Sequence, residues 1–123
     1  MHVRAKDTPA EIHWEGDSRD TLSGFPSGVR ADLGFSLWQL QNGNQPGSSS
    51  RRMETVGPGV WELREQDARA WYRVLYLTRI GNVIHVLHAF EKSSHKTDKR
   101  DLELARERLA RVRNRIVTRK ETR

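Results

Sequence analysis

Between Val60 and Phe90 the chain carries three strand-like runs, separated by gaps too short for anything but turns. Val60-Trp61-Glu62-Leu63-Arg64 alternates, Trp71 to Leu77 is dense in aromatic and branched residues, and Val83 to Phe90 is the longest apolar stretch. Gln66 to Arg69 and Arg79 to Asn82 have the length of hairpin turns, and Gly81-Asn82 is a good turn pair. Strands joined this tightly run antiparallel, because a parallel pair needs a crossover of about a dozen residues. An antiparallel meander is therefore the frame onto which the rest of the chain must fold. At 123 residues there is room for one domain with one modest core.

Helical patterns flank the meander. Ile12-His13-Trp14 reads as a short first strand, after a loose arm over residues 1–10. Asp17 or Ser18 is the expected N-cap of a short helix through Leu22 to Phe25, which Pro26 breaks. From Ser27 to Gln41 the apolar residues Val29, Leu33, Leu37 and Leu40 form one stripe, and Asn42-Gly43 supplies a left-handed stop. Asn44 to Arg52, centred on Gly47-Ser48-Ser49-Ser50, reads as a mobile loop ending in two arginines.

A last helix starts near Thr97 or Asp98. Its seam is Leu102, Ala105, Leu109, Val112 and Ile116, with Arg106, Arg113 and Arg119 facing out and the tail from Thr118 frayed. This order of elements is α+β, a compact domain with N-terminal helices and a C-terminal helix packed on an antiparallel sheet. The helices are expected on one face, leaving the other open.

Charge and composition narrow the function. From Lys92 to Arg123 twelve Lys/Arg stand against five Asp/Glu, a net +7, whereas the remainder carries −1. A C-terminal basic field attracts a polyanion, most often nucleic acid, although a solvated arginine-rich helix has the same composition. There is no cysteine, which excludes disulfides, thiolate catalysis and cysteine-bound zinc. No run nears the roughly 18 apolar residues of a membrane span. Met1 to Ala10 lack the apolar core of a secretory signal, so a cytoplasmic protein is expected. His85 and His88, three apart, would point to opposite faces of a strand, and no acidic cluster accompanies them, so neither metal nor cofactor is expected.

Arg73 interrupts an apolar strand and shares parity with Trp71, Leu75 and Leu77, so it needs a solvated face or a partner such as Glu62. Arg64 ends its own strand in the same way. The segment Phe90-Glu91-Lys92-Ser93-Ser94-His95-Lys96-Thr97 gathers cations and hydroxyls just before a helix N-terminus, where a phosphate would be well held. Trp14, Trp38, Trp61 and Trp71 are expected mainly in the core.

The order of these segments resembles the phage-derived branch of the RelE/HigB toxin superfamily of type II toxin–antitoxin modules. The resemblance rests on Phe25-Pro26 with Val29-Arg30, Leu40-Gln41-Asn42-Gly43 with Pro46, and Gly59-Val60-Trp61-Glu62-Leu63-Arg64. It continues through Tyr72-Arg73-Val74-Leu75-Tyr76, Val86-Leu87-His88-Ala89-Phe90 with Lys92, and Lys96-Thr97 before Asp101-Leu102-Glu103-Leu104-Ala105. Relatives tend to have paired lysines where Lys92-Ser93 stands, and Thr-Pro where Thr97-Asp98 stands. They often have a lysine in the region of Arg51-Arg52.

The resemblance implies a RelE-like fold and an mRNA interferase that cuts mRNA on the translating ribosome. It also implies a cognate antitoxin, often a helix-turn-helix protein. Metal-free RNA cleavage needs a base on the 2′-hydroxyl, an acid on the leaving 5′-oxygen and cations at the phosphorane. Arg73 and Arg64 are the candidate electrostatic groups. Lys92 or Lys96 is the candidate for proton transfer, followed by His88 or His95, with Glu62 and Glu91 the nearest carboxylates. Arg51, Arg52, His95, Lys99 and Arg100 are candidate RNA contacts. The competing readings are a non-catalytic RNA- or ribosome-binding module, and an inactivated toxin that acts through its antitoxin.

Overall fold

A computed structural model describes residues 8–93 and 98–121. The meander forms as three long strands, β3 (Val60–Gln66), β4 (Trp71–Ile80) and β5 (Val83–Lys92). Two short strands extend it, β1 (Glu11–Trp14) and β2 (Ser49–Arg52), giving the order β1-β5-β4-β3-β2. β1 lies parallel to β5, and every other pairing is antiparallel. The β3–β4 turn is tied by Asp67, whose carboxylate accepts the backbone N–H groups of Arg69 and Ala70 at 2.9 Å each. The β4–β5 turn uses Gly81 at φ +60°, a conformation that suits a residue without Cβ.

Three helices complete the domain: α1 (Ser18–Ser23), α2 (Ser27–Gln41) and α3 (Lys99–Glu121). The α2 stripe packs Val29, Leu33 and Leu37 against Leu63, Tyr72, Val74, Tyr76, Ile84 and Val86. The α3 seam packs Ala105, Leu109 and Val112 against Val60, Leu75, Leu77, Leu87 and Phe90. These two sets alternate along β3 and β4, so they belong to opposite faces of the sheet. The expectation of helices on one face alone is thus corrected. The N-terminal helices cover one face and α3 covers the other. The reason lies in β4, where Tyr72 to Leu77 are all buried. A strand without polar alternation needs cover on both sides.

Of the Asn44–Arg52 segment, expected as a mobile loop, Ser49–Arg52 is instead held as an edge strand. Ser36 on α2 binds Ser48 twice, through Oγ to Oγ at 2.7 Å and from the Ser48 backbone N–H at 2.9 Å, and Gln39 accepts the Gly47 N–H at 2.7 Å. Trp38 also departs from expectation. It is 53% exposed and stacks on Phe35, itself 56% exposed, because both lie on the outer side of α2. Arg106 and Arg113 do face outward, yet each reaches back to a carbonyl, of Thr55 and Pro58 respectively. The helix continues past Thr118, and nothing is described for residues 122–123.

The register of β4 and β5 shifts between Leu75 and Tyr76, which pair with His88 and Val86. Leu87 is the extra residue. The bulge turns His88 to the α3 face, where His85 also lies opposite Leu77. The two histidines therefore share a face, contrary to simple alternation. Among the described residues no group of three His, Asp or Glu is placed to hold a metal. No described helix is long and apolar enough to cross a membrane.

His85 sits beside Glu15 at 3.5 Å, and Arg115 of α3 holds the other oxygen of Glu15 at 2.7 Å. Burial pulls the His85 imidazole below its ordinary pKa of 6.5, against the opposing pull of Glu15. The unfolded chain thus binds this proton more tightly than the folded one. The associated stability is complete above about pH 6.5 and is lost as pH falls below it. Denaturant unfolding midpoints should accordingly fall between pH 7.5 and 5.5, and the slope should be shallower in His85→Gln. An unchanged slope in that variant would remove His85 as its source.

Candidate nucleic-acid interface

On β3 and β4, Arg64 pairs with Arg73, and Glu62 lies two residues before Arg64 on the same face. Arg51 of β2 pairs with Glu62. On β5, Phe90 pairs with Arg73 and Lys92 with Trp71. Alternation then puts Arg51, Glu62, Arg64, Trp71, Arg73, Phe90 and Lys92 on one side of the sheet, the α3 side. The guanidinium of Arg73 and the ammonium of Lys92 share a face, which the sequence could state only as a requirement.

Glu62 is the hub of this cluster. Its side chain has no solvent exposure, and three arginines surround it: Arg51 at 3.0 Å, Arg73 at 3.5 Å and Arg64 at 3.6 Å. Three cations around one carboxylate leave a net positive site. Burial draws the Arg73 guanidinium below its ordinary range; Glu62 opposes this, and Arg51 and Arg64 reinforce it. Arg73 is completely buried, whereas the Arg64 and Arg51 side chains are 25% and 45% exposed. Arg64 also lies 5.7 Å over the Trp71 ring, which orients its guanidinium by cation–π attraction. A ligand reaching this face meets Arg64 and Arg51 first, with the Arg73 charge behind them.

Lys92 is mostly buried and ion-paired with Asp98, just before the first turn of α3. Lys99 and Arg100 are exposed in that turn, and Lys99 keeps a loose 3.9 Å contact with Glu103. Arg52 does not join the cluster. It pairs with Trp61, so it points to the α2 face, with its guanidinium 5.5 Å over the Trp61 ring. Glu91 pairs with Tyr72 and is likewise on the α2 face, away from Arg73. His95 and Lys96, with Thr97, lie outside the described residues.

His88 is bound on both ring nitrogens. Arg108 Nη1 donates to Nδ1 at 3.2 Å, and Nε2 is 2.8 Å from Asp101 Oδ1. A guanidinium has only donors, so Nδ1 accepts, and the ring proton sits on Nε2, facing the carboxylate. Arg108 also donates to the carbonyl of the bulge residue Leu87 at 3.0 Å and to Asp17 at 2.8 Å. The Arg108 hydrogen bond holds the Asp17 carboxyl below its usual range. Asp17, expected to cap α1, makes no side-chain cap bond and serves Arg108 instead.

Sequence reading passed over Arg108 because arginine on an amphipathic helix usually faces water. Its spacing carried a signal, three after Ala105 and four before Val112, which places it on the buried seam. Gly16 allows its approach: a Cβ there would come within 2.5 Å of the guanidinium, and its φ of +53° disfavours any other residue.

Comparison with known families matches residues 20–110 to a family described as phage derived protein Gp49-like (DUF891). The match spans α1 to the first half of α3 and so includes Arg51, Glu62, Arg64, Arg73, Lys92 and Arg108. No curated protein matches the chain.

Arg108→Met should keep the bulk of the side chain but leave His88 Nδ1 and the Leu87 carbonyl buried without a donor. A loss of about 2–6 kcal/mol in unfolding free energy follows, at about 1–3 kcal/mol for each orphaned polar group. Denaturation curves would measure it. A change under about 0.5 kcal/mol would show that the network contributes little.

Proposed function

The chain belongs to the phage-derived Gp49-like family, and from that premise we propose that it is an endoribonuclease toxin of the RelE/HigB kind, an mRNA interferase. Its substrate would be mRNA on the translating ribosome, and a cognate antitoxin would hold it in check. The observation that carries the reading is the cluster of Arg51, Arg64 and Arg73 around the buried Glu62, with Lys92 on the same face beside the start of α3. A compact α+β domain with one anchored cationic cluster suits a reaction whose main demand is charge stabilisation.

In this mechanism the ribose 2′-oxygen loses its proton and attacks the adjacent phosphorus. The P–O5′ bond breaks, and the departing 5′-oxygen takes up a proton. Arg64 and Arg51 meet the phosphate oxygens, and Arg73 acts from behind as a fixed charge, aligned with them through Glu62. Lys92 is the proton-transfer candidate among the described residues, once the phosphate displaces Asp98 from its ammonium. His88 takes a positioning role, because both its ring nitrogens are engaged. A second reading, a non-catalytic RNA- or ribosome-binding module, draws support from the ion pairs that already occupy Arg73 and Lys92.

Arg64→Gln and Lys92→Gln should each reduce ribosome-dependent mRNA cleavage, with Arg64→Gln costing about 10²- to 10³-fold, as for loss of one transition-state donor. Mapping mRNA 5′ ends after induced expression measures this. New ends that persist at full level in both variants would sink the mechanism. Growth arrest by the wild type with intact mRNA would favour the binding module.

A further inference from the structure

Around the edge of the sheet from the cationic cluster lies a cleft of about 660 Å³. It runs between the α1–α2 corner at Gly24 and Pro26, the β3–β4 hairpin at Arg69 and Tyr72, and the end of β5 at Glu91 and Lys92. Its volume falls within the roughly 300–1,000 Å³ of small-molecule and cofactor sites. Lys92 belongs to the cleft and to the cationic face alike, so a strand of RNA held at Arg64 and Lys92 can turn directly into it.

The chemistry of the walls is asymmetric. Arg69 supplies positive charge at the rim, as a phosphate would require. Gly24 and Pro26 offer a wall without long side chains. Tyr72 is buried, and its hydroxyl is committed to Asp67 at 3.1 Å. Glu91 is exposed, and no hydrogen bond or ion pair of its carboxylate is seen among the described residues. A carboxylate only accepts hydrogen bonds. Guanine presents two adjacent donors, N1–H and the N2 amino group, on its Watson–Crick edge. Adenine and cytosine present one amino group, and uracil one imino group. Single-stranded RNA is commonly read along that edge.

We propose that this cleft is a base-selective subsite for the nucleotide next to the scissile phosphate. Glu91 is its specificity-determining residue and guanine its preferred base. The proposal rests on the endoribonuclease reading for its substrate, yet it can fail or stand separately. Glu91 lies on the opposite face of the sheet from Arg73, so its replacement leaves the cationic cluster intact. Glu91→Gln retains one acceptor and gains a donor, which breaks the two-donor match to guanine. Arg69→Gln removes a rim charge without touching base selection.

The test uses fluorescein-labelled 2′-O-methyl RNA hexamers, an all-adenine series with one G, C or U substituted, with binding read by anisotropy. The wild type should bind the G-containing hexamer at least about tenfold more tightly than the all-A one, as expected for one bidentate base contact. Glu91→Gln should abolish that ratio, and Arg69→Gln should weaken all hexamers alike. Equal wild-type affinities, or a preference that survives Glu91→Gln, would overturn the proposal. Mapped mRNA ends separate the two readings. Cleavage whose base preference ignores Glu91→Gln would remove the subsite and leave the nuclease. Base-selective binding without cleaved ends would leave the subsite and remove the nuclease.

Discussion

A carboxylate stripped of all water must find its counter-charges inside the protein, and Glu62 finds three of them. Desolvating an ion costs several kcal/mol, which is recovered only when the partners are close and correctly aimed. Arg51, Arg64 and Arg73 come from three different strands, so bringing their charges to Glu62 also ties the registers of β2, β3 and β4. A slip of one residue would turn Glu62 toward Leu33 and Leu37 and bring Leu63 among the arginines. Register, charge cluster and candidate site therefore stand or fall together.

The second constraint is the docking of α3. Its apolar seam supplies contact area, which is not directional. Direction comes from Arg108, which reaches the bulge at Leu87 and His88 on one side and Asp17 before α1 on the other. The bulge frees the Leu87 carbonyl to receive that guanidinium, and Gly16 leaves the space for it. Anchoring α3 here brings its first turn beside the end of β5, where Asp98 meets Lys92 and Asp101 meets His88. The position of the candidate proton-transfer lysine thus depends on a buried arginine on the next helix.

Much of this was legible in the chain. The bounds of α2, its stripe of Val29, Leu33 and Leu37, the α3 seam and the paired hairpins follow from periodicity and turn chemistry, which are local. The parity of Arg73 with Trp71 is legible too, because alternation from Trp71 to Leu77 is regular and local. Other features escaped for non-local reasons. β2 is a strand only because Ser36 and Gln39 hold Ser48 and Gly47, and its Ser-Ser-Arg-Arg sequence has no apolar pattern. The common face of His85 and His88 requires a bulge that one strand cannot announce without its partner. Arg51 and Arg52 look alike in sequence, but pairing with Glu62 and Trp61 sends them to opposite faces.

The chain by itself determined the α+β order, the antiparallel meander and the concentration of positive charge toward the C-terminus. Each depends on residues near one another in sequence, where spacing and turn length leave few alternatives. Tertiary structure alone decided that both faces of the sheet are covered, and that Glu62 sits amid three arginines. It also decided that Arg108 is buried rather than solvated, and that Glu91 borders a separate cleft from Arg73. Those outcomes depend on which distant groups share a dehydrated space. Desolvation energies are set by the assembled surroundings of a side chain, and no local pattern encodes them.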